Sequence, residues 1–128
     1  MLQQFLDEYA RREWDWATTN CCLAAADWVI ANGYPDPASE LRGSFATEAD
    51  CRRLIEGAGG VIHLFGDAVE AIGLVSAAAP SAGSVGVIGS ADNVHRQWAA
   101  IYDGQRWQVR LQSGFVPFVA RPLKVWSV

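Results

Sequence analysis

The sequence has no run of about 18 apolar residues, because charge or glycine interrupts every hydrophobic stretch sooner. No membrane insertion is therefore expected. It has no basic excess either: ten Lys and Arg stand against fourteen Asp and Glu, a net charge of −4. The arginines occur singly or as the pairs Arg11–Arg12 and Arg52–Arg53 rather than as a face, so no nucleic-acid partner is expected. The opening MLQQFLDEYARREWDW lacks a charged segment followed by an apolar run and does not read as a signal peptide. Cysteines are few and odd in number, three in all, with Cys21 and Cys22 adjacent. Adjacent cysteines make a strained disulfide, so reduced thiols and a reducing compartment are expected. Repeats, linkers and low-complexity tracts are also missing.

What remains is 128 residues, half of them hydrophobic and six of them tryptophan, which suits one domain with a real core. The first half (1–73) has helical periodicity. Leu2, Phe5, Leu6 and Tyr9 share one face of a helix expected to run to about Trp14. Thr18, Thr19 and Asn20 offer caps for CCLAAADWVIANG, which closes on Gly33. Asp36-Pro37 predicts a short helical turn through Leu41. Thr47 precedes a helix with Ala49, Leu54 and Ile55 as its buried stripe, and Val61 to Ile72 forms the last helix. The second half (74–128) changes period. VGVI at 85–88, WAAIY at 98–102, RWQVRL at 106–111, FVPFV at 115–119 and LKVWSV at 123–128 read as strands. Asp103-Gly104 predicts a tight two-residue hairpin, and SAAAPSAGS at 76–84 a plain connection. The fold class is α+β, with N-terminal helices on a mostly antiparallel sheet of five to six strands.

Cys21 stands where a helix begins. Free N–H groups and the positive end of the helix dipole favour a thiolate there, which is the form that attacks. Cys22 points about 100° away, toward packing. Cys51 reads as structural or surface. Only two histidines are available as a base, His63 on a helix surface and His95 three residues before Trp98. In an unbroken strand, positions 95 and 98 face opposite ways, but Asp92-Asn93 suggests a loop able to re-aim His95. Gln97 and Asp92 are the candidates to orient it. Trp14 and Trp16 either frame a groove above Cys21 or anchor the first helix. Arg42-Gly43 either loops over the groove mouth or caps helix ends and pairs with Glu40 or Glu48. Glycines at 83, 86 and 89 do not spell a nucleotide loop; crowding beside a core tryptophan explains them better. Zinc would need a closed ligand set, for which vicinal cysteines are ill suited. No cofactor and no metal are expected.

The stretches WDWATTNCCLAAADWV (14–29), DPASELRG (36–43), the glycine pair at 59–60 and the closing GFVPF…WSV (114–128) resemble a family of small phage and prophage proteins. That family is distantly similar to the NlpC-type cell-wall peptidases, a bacterial branch of the papain-like fold. The resemblance implies a helical layer holding the cysteine against a sheet. It also marks three departures. The peptidases have Asp-Cys where this chain has Asn20-Cys21, Gly-Asp where it has Gly83-Ser84, and a histidine opening a strand like H-V-G-I-Y where it has Trp98 to Tyr102.

The function implied is that of a phage tail-associated structural or assembly component, papain-like but catalytically degenerate. Its partners would be other tail and tail-tip proteins, and its place the virion tail, assembled in the host cytoplasm. The alternative is a cysteine peptidase or amidase acting on peptidoglycan peptides, with Cys21 as nucleophile and His95 as base. A third reading is a cytosolic regulatory or toxin-related domain.

Overall fold

In a computed structural model describing residues 1–128, four helices precede a six-stranded sheet. The helices are α1 (Leu2–Ala10), α2 (Cys21–Ala31), α3 (Glu48–Ala58) and α4 (Val61–Ala71). The strands are β1 (Val75–Ser76), β2 (Val85–Gly89), β3 (Gln97–Tyr102), β4 (Trp107–Leu111), β5 (Gly114–Phe118) and β6 (Lys124–Ser127). Their order across the sheet is β1-β6-β2-β3-β4-β5, and every pairing is antiparallel. No helix is long and apolar enough to cross a membrane. The architecture is α+β, as the change of period at mid-chain suggests.

Local chemistry sets the boundaries. Thr47 and Asp50 form a reciprocal capping box that starts α3, and Gly59 ends it in the left-handed conformation. α4 has no side-chain cap of its own. Its start is served from the sheet instead, because Gln97 Oε1 accepts from the Ile62 N–H at 3.1 Å. The approach needs Gly60, since a Cβ there would lie 2.5 Å from the Gln97 oxygen. Several expectations differ from the structure: on α3 the expected buried stripe is only half-buried at Leu54 and Ile55, and Ala49 is exposed. α1 stops at Ala10, well before Trp14. Residues 37–43 form hydrogen-bonded turns, with the Leu41 and Arg42 N–H groups both on the Ala38 carbonyl, and these do not extend into a helix. The loop after β3 holds four residues, closed by Asp103 Oδ1 accepting from the Gln105 and Arg106 N–H groups. β1 lies inside the stretch expected to be irregular and pairs with β6.

One sheet face carries Val85, Val87, Ala99, Ile101 and Trp126 and meets Trp28, Val29, Val61, Phe65 and Val69 of the helices. Each such side chain contributes roughly 1.5–3 kcal/mol by leaving water. The other face carries Ile88, Ala100, Trp107, Val109 and Val125, which bury one another. Trp107 lies against Gly86, where a Cβ would fall 2.7 Å from its ring. That is the crowding beside a tryptophan expected from the glycine spacing. The buried Arg110 of β4 donates to the carbonyls of Leu111 and Arg12, tying the segment after α1 to the sheet.

A charged cluster fixes the 36–43 turn. Asp27 of α2 accepts from Tyr9 Oη at 2.8 Å and from Arg42 Nη2 at 2.7 Å, and Arg42 Nε donates to Asp36 at 2.7 Å. Arg42 thus pairs with Asp27 and Asp36, neither with Glu40 nor with Glu48. Burial alone would raise the Asp36 pKa, but the Arg42 and Ala38 hydrogen bonds outweigh it and hold it below the ordinary value. A depressed carboxylate pKa gives stability present at neutral pH and lost as pH falls through the folded-state value. Arg42→Ala is expected to cost about 1–2 kcal/mol at pH 7, discounted for partial exposure. Urea denaturation checks this, and the deficit should shrink as pH falls through the lowered Asp36 pKa and the carboxylate is protonated.

Candidate functional site

Asn20 decides where α2 begins. Its Oδ1 accepts from the Leu23 N–H at 3.0 Å, and its Nδ2 donates to the Trp16 carbonyl at 3.0 Å. Of the three expected caps it is Asn20 that serves, and Cys21 becomes the first residue of the helix.

The sheet presents an opening at the same place. The β3–β4 ladder consists of Ile101↔Gln108 and Tyr102↔Trp107 alone, so the first half of β3 has no strand on that side. The Tyr102 N–H bonds Ser84 on the β2 side, and by alternation the Ala99 N–H points the other way. It is directed at the sulfurs of Cys21 and Cys22.

Several hydrogen-bond donors therefore act on Cys21. The Cys22 thiol hydrogen-bonds to it and lowers its pKa most; burial works against this, and the N–H groups of Ala99 and Cys22 lower it further. The donor side of that bond shows the reverse. Cys22 is pushed well above the usual thiol range by its bond to Cys21 and by burial. Cys51, on α3, is pushed up to about 11 by burial first and then by negative charge at Cys21. The hydrogen bond between the two thiols thus shifts them in opposite directions, Cys21 down and Cys22 up.

A cleft of about 660 Å3 opens over this point, with a mostly hydrophobic lining. Trp14 and Trp16 both line it, packed edge to face with ring centres 5.0 Å apart. Trp98 and His95 line it too. The expected loop at residues 93–96 is present and brings positions 95 and 98 to one cavity despite their opposite parity. Yet His95 is committed elsewhere: its Nε2 lies 3.1 Å from Glu56 Oε1 of α3. The imidazole–sulfur hydrogen bond expected of a base is missing from the site. Gln97 does not orient His95 either, because it is buried and spans Ile62 and Ser90. Asp92 sits exposed in a turn, and His63 is exposed on α4, as expected. No three His, Cys, Asp or Glu side chains converge as a ligand set.

Two readings of the cysteines change. Cys22 is bonded to Cys21 as well as packed on the main core. Cys51 lines the cleft, and its Sγ donates to the Trp16 carbonyl at 3.7 Å. Its place was open to sequence reasoning, since 51 falls three and four positions before Leu54 and Ile55 on the α3 stripe. Glu56 carries no such signal.

Comparison with known families settles the relationship. The chain belongs to the DUF6950 family. The family model, described as a domain of unknown function, matches residues 1–128. No curated protein and no solved structure matches the chain. This DUF6950 chain carries its candidate chemistry in the cleft that its three cysteines line.

Proposed function

We propose that the chain is a papain-like scaffold of the NlpC type, catalytically degenerate, that works as an assembly component of a phage tail. One observation carries the degenerate part: Cys21 sits at a helix start against β3 without a base, while His95 is held by Glu56 at 3.1 Å. The strand position matching the family's histidine is Trp98, which lines the cleft as an indole. The scaffold part is supported by the thiol at the start of α2 meeting the open edge of an antiparallel sheet. The phage context rests on the likeness of residues 14–29 and 36–43 to small phage and prophage proteins.

The missing base decides between binding and turnover. General-base help contributes on the order of 100- to 10,000-fold, and an amide leaving group needs a proton that nothing here supplies. A thiolate alone attacks activated groups but does not turn over peptides. The cleft then serves recognition, with tail and tail-tip proteins as partners. Mass spectrometry of purified virions tests this. A small fixed copy number per particle is expected, and detection only in the lysate of infected cells would contradict it.

The donors around Cys21 favour one second reading, a cysteine peptidase or amidase acting on peptidoglycan peptides. It requires release of product from such peptides that disappears in Cys21→Ala. Release unchanged in that variant, or none from the wild type, removes this reading.

A further inference from the structure

The fold gathers all three cysteines in one place. Cys21, Cys22 and Cys51 line one cleft. Each packs against a different hydrophobic cluster, so three separately built apolar groups meet at sulfur. A single carbonyl ties the arrangement together. Trp16 O accepts from Cys51 Sγ at 3.7 Å and from Asn20 Nδ2 at 3.0 Å. Asn20 immediately precedes Cys21, so the same atom anchors the α3 cysteine and the start of α2.

We infer that Cys21 and Cys51 form a redox-active dithiol that reduces hydroperoxides, Cys21 attacking and Cys51 resolving. The roles follow from position. Cys21 is the first residue of α2 and meets the half of β3 that no strand covers, and all three cysteines are part-buried and line the same cleft. Cys22 is excluded as the resolving thiol, because a bridge between adjacent residues distorts the peptide that the helix needs. Cys51 is kept protonated first by burial and then by the charge on Cys21. That repulsion ends once Cys21 becomes a neutral sulfenic acid, so resolution is favoured only after attack.

The chemistry balances with one named co-reactant, a hydroperoxide. The Cys21 thiolate attacks a peroxide oxygen; an S–O bond forms and the O–O bond breaks. The departing oxygen takes a proton and leaves as an alcohol, or as water when the oxidant is hydrogen peroxide. Cys51 then attacks the Cys21 sulfur, the S–S bond forms, the S–O bond breaks, and the Cys51 proton leaves with hydroxide as water. Two thiols lose two electrons and the peroxide gains them. A small-molecule thiol restores the pair. The bridge joins the start of α2 to α3 across the cleft. It rests on the cysteines alone and stands or falls independently of any tail role.

The test treats the full chain with hydrogen peroxide and maps it with trypsin under non-reducing conditions. The cuts at arginine leave Cys21 and Cys22 on peptide Glu13–Arg42 and Cys51 on Gly43–Arg52. A linked pair of these peptides from one chain is expected. The link should persist in Cys22→Ser and vanish in Cys21→Ser and Cys51→Ser. In Cys51→Ser a sulfenic acid should accumulate at Cys21 and be trapped by dimedone. Its formation should run at least about tenfold faster than in the urea-unfolded chain. Circular dichroism confirms that each variant is folded, and the wild-type peptide map decides the linkage even if one is not. Three free thiols after treatment, a link between two chains, a Cys21–Cys22 bridge, or oxidation at the unfolded-chain rate would each overturn the assignment.

Discussion

Gly86→Val is expected to remove a large part of the chain's stability at 25 °C. An added Cβ at this position would lie 2.7 Å from the Lys124 carbonyl oxygen and 2.7 Å from the Trp107 ring. Neither obstacle can yield. The carbonyl belongs to β6, hydrogen-bonded alongside β2 through Gly86↔Val125. Trp107 is 2 % exposed and wedged among Ile88, Ala100, Val109 and Val125. Overpacking usually costs about 1–3 kcal/mol, and two rigid contacts at once raise this to roughly 4 kcal/mol or more. Domains of this size have about 5–15 kcal/mol in total. Urea denaturation followed by tryptophan fluorescence should show the wild-type transition moved to markedly lower denaturant. A variant as stable as the wild type would mean that the helix-free face of the sheet is not packed on itself.

The second large effect is selectivity among the thiols. At pH 7.5, iodoacetamide is expected to modify Cys21 at least about 100-fold faster than Cys51. Only the thiolate reacts, and a thiol at about 11, as Cys51 is, exposes roughly one thiolate in several thousand at that pH. Cys22 is raised well above the usual range and should lag in the same way. Alkylating Cys21 removes both the charge and the acceptor that hold its neighbours up, so Cys51 and Cys22 should react faster afterwards. Time-resolved peptide mass spectrometry reads the order directly. Equal rates at the three positions would show that the donors around Cys21 do not stabilise its charge.

Both effects arise from packing between distant segments, and that is also where the sequence was hardest to read. α2 was legible at both ends because Asn20 and Gly33 are chemically marked, the one accepting an orphan N–H and the other taking a positive φ. Five strands were placed to within about two residues because alternation and turn residues bound them. β1 was not legible: two residues carry no periodicity, and the partner is β6, some fifty positions later. Asp36-Pro37 predicts only a short helical turn through Leu41, because Asp-Pro commonly opens one. The Asp27–Arg42–Asp36 cluster that fixes the 36–43 turn depends on α2 lying alongside. At the site, Cys21 and the re-aiming of His95 by a loop could be read from residue type and spacing. The Glu56 partner of His95 and the Ala99 N–H at the sulfur could not, because nothing local encodes which strand leaves its edge open.

The Cys22 thiol first, and then the Ala99 N–H at that open edge, lower the Cys21 pKa, and the proposals above differ in what they ask of this thiol. A scaffold needs the thiol only as a well-packed residue, a peroxide-reducing pair needs it as a thiolate, and a peptidase needs an imidazole beside it as well. The rate of Cys21 alkylation against pH, measured in the wild type and in His95→Ala, separates these demands most directly. With peptide N–H groups and Cys22 holding the charge, the two profiles should superimpose and stay high well below the ordinary thiol range. A fall of tenfold or more near neutral pH in His95→Ala would show that the imidazole supports the thiolate, and would contradict the account of a cysteine without a base.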